Sequence, residues 1–253
     1  MTLGIVLYAK DDRIILISDK RVTEGSYAMS AHGDMVQKIH KVTDKCGLTI
    51  AGDAGAATAI IEVFLKELEL DLKRKNTKVL PVTEIAELFR KVAVDHYTKW
   101  YKDMSMSEWV SNVKNDVIPH FRVLLAGFDN DEKGKPSKRK IIEMTSYRRF
   151  SPTICTVNFS TIGITSIAQY LLYRFYKEEE ENVVAGLGAF CILETNSQDD
   201  GVGDNFHIAS FSKKSAFKFY TDHDVSRIKN RCNELKTELQ TALYSTPKVK
   251  EEE

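Results

Sequence analysis

Apolar residues come first in short runs and only later at helical spacing. Leu3 to Ala9 and Ile14 to Ser18 are apolar runs separated by the polar KDDR, the pattern of a β-hairpin. Met35 to Val42 and Gly47 to Ala51 continue the strand series, which ends in the turn Gly52-Asp53-Ala54-Gly55. The period then changes. From about Ala57 to Lys73, residues Ile60, Ile61, Val63, Phe64, Leu65, Leu68 and Leu70 recur at helical spacing, with Lys and Glu on the other side. A second helix is predicted from about Val82 to Tyr101, with Pro81 at its start.

The stretch Lys102 to His120 is polar and irregular and reads as an excursion. Strands resume at Phe121 to Phe128, Lys140 to Met144 and Ile154 to Thr161. A turn at Gly163 leads into a helix over Ser166 to Tyr176, ended by the acidic run Glu178 to Glu181, and another helix covers Val183 to Glu194. The glycine-rich DDGVGD, Asp199 to Asp204, precedes a strand at Phe206 to Phe211 and a final helix over Val225 to Leu243. No segment reads as a linker and there is no internal repeat. One domain over 1–246 is expected, followed by a charged tail, 247–253. Helices that fall in pairs between hairpins do not fit a doubly wound parallel sheet; they suit a sandwich of sheets with helix pairs on its outer faces.

Composition narrows the function classes. The 253 residues carry 36 basic and 36 acidic side chains, which argues against a nucleic-acid partner, since phosphate neutralisation needs a concentrated basic face. The one basic cluster, Lys133 to Lys140, contains Gly134 and Pro136 and reads as an exposed hairpin loop. No run approaches the length of a membrane span, and no basic segment or small-residue cleavage site marks a signal peptide. Cys46, Cys155, Cys191 and Cys232 stand in or beside apolar runs without a CxxC pair, as expected of reduced, buried thiols in a cytoplasmic protein. The six histidines form no HxH or HExxH spacing, so no metal site and no cofactor is expected, and neither glycine-rich turn matches a dinucleotide or phosphate loop.

Chemistry gathers near the N-terminus. Thr2 follows the initiator, and removal of Met1 would place a hydroxyl and a free α-amine on one residue. An α-amine titrates at about 7.7–8.0, close enough to neutrality to serve as base for its own hydroxyl. Asp19 ends an apolar strand and needs a partner there. Lys38 lies within an apolar–polar alternation and would answer that need, its charge favouring a neutral amine and a developing alkoxide. On spacing alone the two could equally pair on a hairpin surface. Gly52 opens a strand-to-helix turn, where a backbone N–H can face a substrate carbonyl oxygen or simply form the turn.

Together these residues resemble the start of a proteasome β-type subunit, a family whose fold is shared with the HslV protease and the Anbu peptidase. Asp19, Arg21 and Thr23 match its aspartate-x-arginine-x-threonine segment, Lys38 in VQKIHK its lysine, and Gly52 in IAGDAGA its oxyanion glycine. FRVLLAGFDND and FSTIGIT resemble later strands of the family. Asp199 and Gly203 match the aspartate and first glycine of the turn that buttresses the nucleophile. The resemblance covers most of residues 2 to about 215.

It implies an α+β fold, the four-layer αββα sandwich of N-terminal nucleophile hydrolases, and a threonine-type endopeptidase. The catalytic residues it implies are Thr2, Asp19, Lys38, Gly52 and Asp199, with a specificity pocket lined by Val22, Ile50 and Ala54. It also implies protein or peptide substrates and a ring-forming oligomer of this chain or related subunits, with room for an ATPase partner. The sequence departs from the pattern at Val202 and Ile164, where serines ordinarily help hold the α-amine, and at Asp204, in place of a second glycine. Thr2 to Asp19 is one residue longer than usual, which a hairpin bulge would absorb; a register with Met1 at the nucleophile position is the other option. Two alternatives stay open: a catalytically silent structural subunit, and an acyl-threonine transpeptidase or ligase.

Overall fold

A computed structural model describes residues 2–21, 36–101, 104–115, 117–131 and 134–245. Met1, Val22, Thr23, Met35, the start of the basic cluster and the tail expectation at 247–253 lie outside the described residues. The elements are β1 (Leu3–Ala9), β2 (Arg13–Asp19), β3 (Ile39–Thr43), β4 (Cys46–Gly52), α1 (Ala54–Arg74), α2 (Val82–Trp100) and α3 (Met106–Lys114). There follow β5 (Phe121–Asn130), β6 (Pro136–Thr145), β7 (Thr153–Ile154), β8 (Phe159–Gly163), α4 (Ser166–Phe175), α5 (Glu181–Asn196), β9 (Phe206–Phe211), β10 (Lys218–Phe219) and α6 (Asp222–Tyr244).

Two antiparallel sheets form the middle layers, ordered β10-β9-β2-β1-β8 and β3-β4-β5-β6-β7. Strand alternation builds three cores, because successive side chains point to opposite faces. Leu3, Ile5 and Leu7 of β1 pack with Ala185, Ala189 and Ile192 of α5, whereas Val6 and Tyr8 face Leu124 and Ala126 of the opposing sheet. Leu48 and Ile50 of β4 turn outward against Ile60, Phe64, Ile85 and Phe89 of α1 and α2. The result is the expected αββα sandwich, with β1 buried along its whole length.

The structure differs from the sequence expectation where short polar signals or tertiary contacts decide. The predicted strand Ile154–Thr161 is two strands in different sheets. Cys155 N–H bonds to Ile141 O in one sheet at 2.9 Å, and Asn158 O accepts from Tyr8 N–H in the other at 2.9 Å. The excursion 102–120 contains α3, begun by a capping box between Ser105 and Glu108 and anchored by buried Trp109 and Val113. The acidic run heads α5 rather than ending α4, with Glu180 as N-cap and Glu181 in the first turn, where the helix dipole favours acids. Asp53 accepts from Ala56 N–H and starts α1 three residues earlier than its apolar stripe suggests. No bulge interrupts β1–β2: pairing is continuous from Gly4↔Ser18 to Ala9↔Arg13, and the turn between them holds Asp11 and Asp12 at positive φ. The basic cluster is only partly loop, for β6 begins at Pro136 and Arg139 reaches back to Ala9 O at 2.8 Å.

Candidate active site

The end of β2 and the start of β3 bring one acid and one base together under full burial. Lys38 Nζ donates to both carboxylate oxygens of Asp19 at 3.1 Å and to Arg21 O; the two side chains are 2% and 0% exposed. Such a pair costs several kcal/mol of desolvation per ion and persists only where hydrogen bonds complete it. Three backbone N–H groups do so: Leu3 at 2.9 Å, Arg21 at 3.1 Å and Gly203 at 3.1 Å, all to Asp19. Burial pushes the Asp19 carboxyl up, opposed by the Lys38 charge and the Leu3 and Gly203 donors. The exposed-surface reading of this pair is excluded.

Thr2 precedes β1 and is 5% exposed. The peptide unit that follows it is fixed at both ends: Thr2 O accepts from Ile164 N–H at 2.9 Å, and Leu3 N–H goes to Asp19. Gly163 makes this approach feasible. Its φ is +91°, and a Cβ there would fall 1.8 Å from Thr2 O and 3.3 Å from Ala51 Cβ. Ala51 is the neighbour of Gly52, so the Thr2 carbonyl and the β4 end lie side by side.

Gly52 closes β4 opposite Phe121. Its φ of +111° and the 2.3 Å from an added Cβ to His120 O leave room for no side chain. Asp53 N–H is drawn to His120 O at 2.8 Å, so this glycine sits at a rigid junction of strand, helix N-terminus and the segment after α3. Asp199 lies farther out. Its carboxylate accepts from Gly201 N–H at 2.8 Å and its carbonyl from Val202 N–H at 3.1 Å. It caps the turn that presents Gly203 N–H to Asp19. Ile50 is buried against α1 and α2 and Ala54 opens α1, while Val22, expected to line a pocket with them, is outside the described residues.

Sequence reasoning missed the backbone half of this site. The Arg21 carbonyl and the Leu3 and Gly203 amides carry no side-chain signature, although the glycine turn at 199–204 pointed to the third. Among the described residues, no group of three or more His, Cys, Asp and Glu is placed to hold a metal ion, and no helix is long and apolar enough to cross a membrane.

A family model described as proteasome subunit matches residues 3–209. The chain belongs to the proteasome subunit family. Within it, the β-type subunit of Methanosphaera stadtmanae is 23% identical over 223 residues, 87% of this chain and 91% of that protein. The β subunit of Methanocorpusculum labreanum is 35% identical over 78 residues, about a third of each chain. Among solved structures, an Anbu (Gly-1) mutant from Hyphomicrobium sp. strain MC1 superposes with a TM-score of 0.68 at 12% identity, covering 98% of this chain and 99% of that one. That likeness is one of fold. Against this family background, Val202 is 0% exposed and fills the core between sheet and α5 instead of supplying a hydroxyl. Ile164 contributes only its backbone N–H to Thr2.

Proposed function

We propose that this proteasome-family chain is a threonine-type peptidase acting through Thr2 after removal of Met1. The observation that carries the reading is the shared carboxylate: Asp19 holds both the Lys38 ammonium and the amide directly after Thr2, which ties the cation to the nucleophile's own backbone. Thr2 Oγ attacks a peptide carbonyl while the Thr2 α-amine takes its proton, and Lys38 lowers the cost of the developing alkoxide. Gly52 N–H receives the oxyanion. Collapse of the tetrahedral centre breaks the C–N bond, the amine leaves with the proton, and water hydrolyses the resulting Thr2 ester. Asp19 positions Lys38, and Asp199 acts through the turn that carries Gly203.

Substrates on this reading are proteins or peptides, and the site is enclosed in a ring of this chain or related subunits in the cytoplasm, with an ATPase as the partner that feeds it. Intact-mass measurement before and after a peptide epoxyketone, which needs both hydroxyl and free amine, tests the proposal. Mature protein starting at Thr2 and gaining one adduct is expected; retained Met1 without an adduct would overturn it. The second reading, a silent structural subunit, draws on Val202 and Ile164, which offer no hydroxyl to the amine. The same experiment separates the two.

A further inference from the structure

Outward from Gly52 lies the segment around α3, which exceeds the expected elements of the chain. Gly52 and Asp53 pack against the chain entering β5 at His120, whose carbonyl takes the Asp53 N–H at 2.8 Å and lies closest to the Gly52 Cβ position. His120 is in turn held by Ser146, at the start of a 3-10 turn spanning Ser146–Arg148. Ser146 Oγ lies 2.8 Å from His120 Nδ1 and accepts from Phe121 N–H at 3.3 Å. The Ser146 carbonyl accepts from the Trp109 indole of α3 at 2.7 Å. Ser146 is 0% exposed and Trp109 3% exposed, so both bonds are made where water cannot replace them.

The arrangement is directional. Phe121 stands opposite Gly52 at the last step of the β4–β5 ladder, and its N–H is taken by a side-chain hydroxyl. The Ser146 hydroxyl thus fixes both the peptide facing Gly52 and the imidazole next to it. Tyr97 OH donates to Pro119 O at 2.7 Å and secures the same segment from α2. On the side of Thr2 where the family ordinarily supplies serine hydroxyls, this chain has Val202 and Ile164; here, beside Gly52, it has a buried serine whose hydroxyl and carbonyl are both bonded.

We infer that Ser146 is a positioning residue for the oxyanion glycine: with Trp109 of α3 behind it and His120 in front, it sets the direction of the Gly52 N–H. The inference rests on the peptidase reading and deepens it. A displaced oxyanion donor weakens the transition state more than the ground state, so the effect belongs in kcat.

The test compares wild type, Ser146→Ala and Trp109→Phe on a fluorogenic peptide, with epoxyketone adduct formation followed by intact mass and folding by thermal melt. Ser146→Ala is expected to lower kcat at least tenfold with KM changed less than threefold, and Trp109→Phe to lower kcat two- to fivefold. Unchanged kcat in a folded Ser146→Ala protein, or a change confined to KM, overturns the inference. Where Ser146→Ala does not fold, Trp109→Phe decides: folded protein with wild-type kcat overturns it. Absence of any adduct on wild type instead sinks the peptidase reading, so the two failures are distinguishable.

Discussion

Leu3 N–H and Lys38 Nζ share a single acceptor, Asp19 Oδ1, at 2.9 and 3.1 Å. One oxygen therefore couples the backbone after Thr2 to the only ammonium bonded to that carboxylate among the described residues. The geometry makes Asp19 a hinge between main chain and cation, and it gives each a distinct experimental signature.

Lys38→Met should leave Asp19 buried without its cation. A loss of about 3–5 kcal/mol in stability is expected from breaking one side of a buried pair, together with loss of epoxyketone reactivity. The double variant Lys38→Met/Asp19→Asn should recover part of the stability but none of the reactivity. Chemical denaturation and adduct mass measure the two effects separately; equal stability of single and double variants would contradict the pairing.

Thr2→Ala should behave differently. The variant keeps the Thr2 carbonyl that binds Ile164 and the Leu3 amide that binds Asp19. Stability should shift by no more than about 1 kcal/mol, the range of ordinary single substitutions, while adduct formation disappears. An adduct that survives in the variant would show that another group is the nucleophile.

Gly163→Ala brings a Cβ to 1.8 Å from Thr2 O in a backbone conformation at φ +91°. Strain of about 1–3 kcal/mol is expected from the backbone alone, and the Thr2 peptide must move. Reactivity should fall at least tenfold in the protein that folds. An active, fully stable Gly163→Ala variant would mean that the Thr2 carbonyl is free to adjust.

Burial holds the His40 imidazole below its ordinary value, opposed by a hydrogen bond to the Gln37 backbone, and burial together with the Lys20 charge does the same at His207, opposed by Asp222. For a base depressed in the folded state, the unfolded chain takes up the proton first. Stability is therefore complete above the unfolded value, about 6.5, and declines as pH falls from there towards the lower folded values. Thermal midpoints should drop between pH 7.5 and 5, and His40→Gln should flatten that slope. An unchanged slope in the variant would remove His40 from the account.

What was legible in the sequence follows physical periodicity. Leu3–Ala9 could be read to the residue because full burial on both faces leaves an unbroken apolar run before a polar turn. The helices α2 and α4 were legible because one apolar stripe recurs at helical spacing. Asp19 and Lys38 stood out as charges where the pattern asked for apolar residues.

Other features needed the third dimension. The strand-like stretch at Ile154–Thr161 hides a crossing between sheets, since strand propensity says nothing about which neighbour supplies the ladder. The carboxylate of Asp19 is satisfied by amides of Leu3, Arg21 and Gly203, groups every residue but proline possesses and no composition reveals. Side-chain chemistry was written along the chain; the backbone donors that orient it exist only where distant segments meet, because a hydrogen bond is set by direction and distance rather than by residue type.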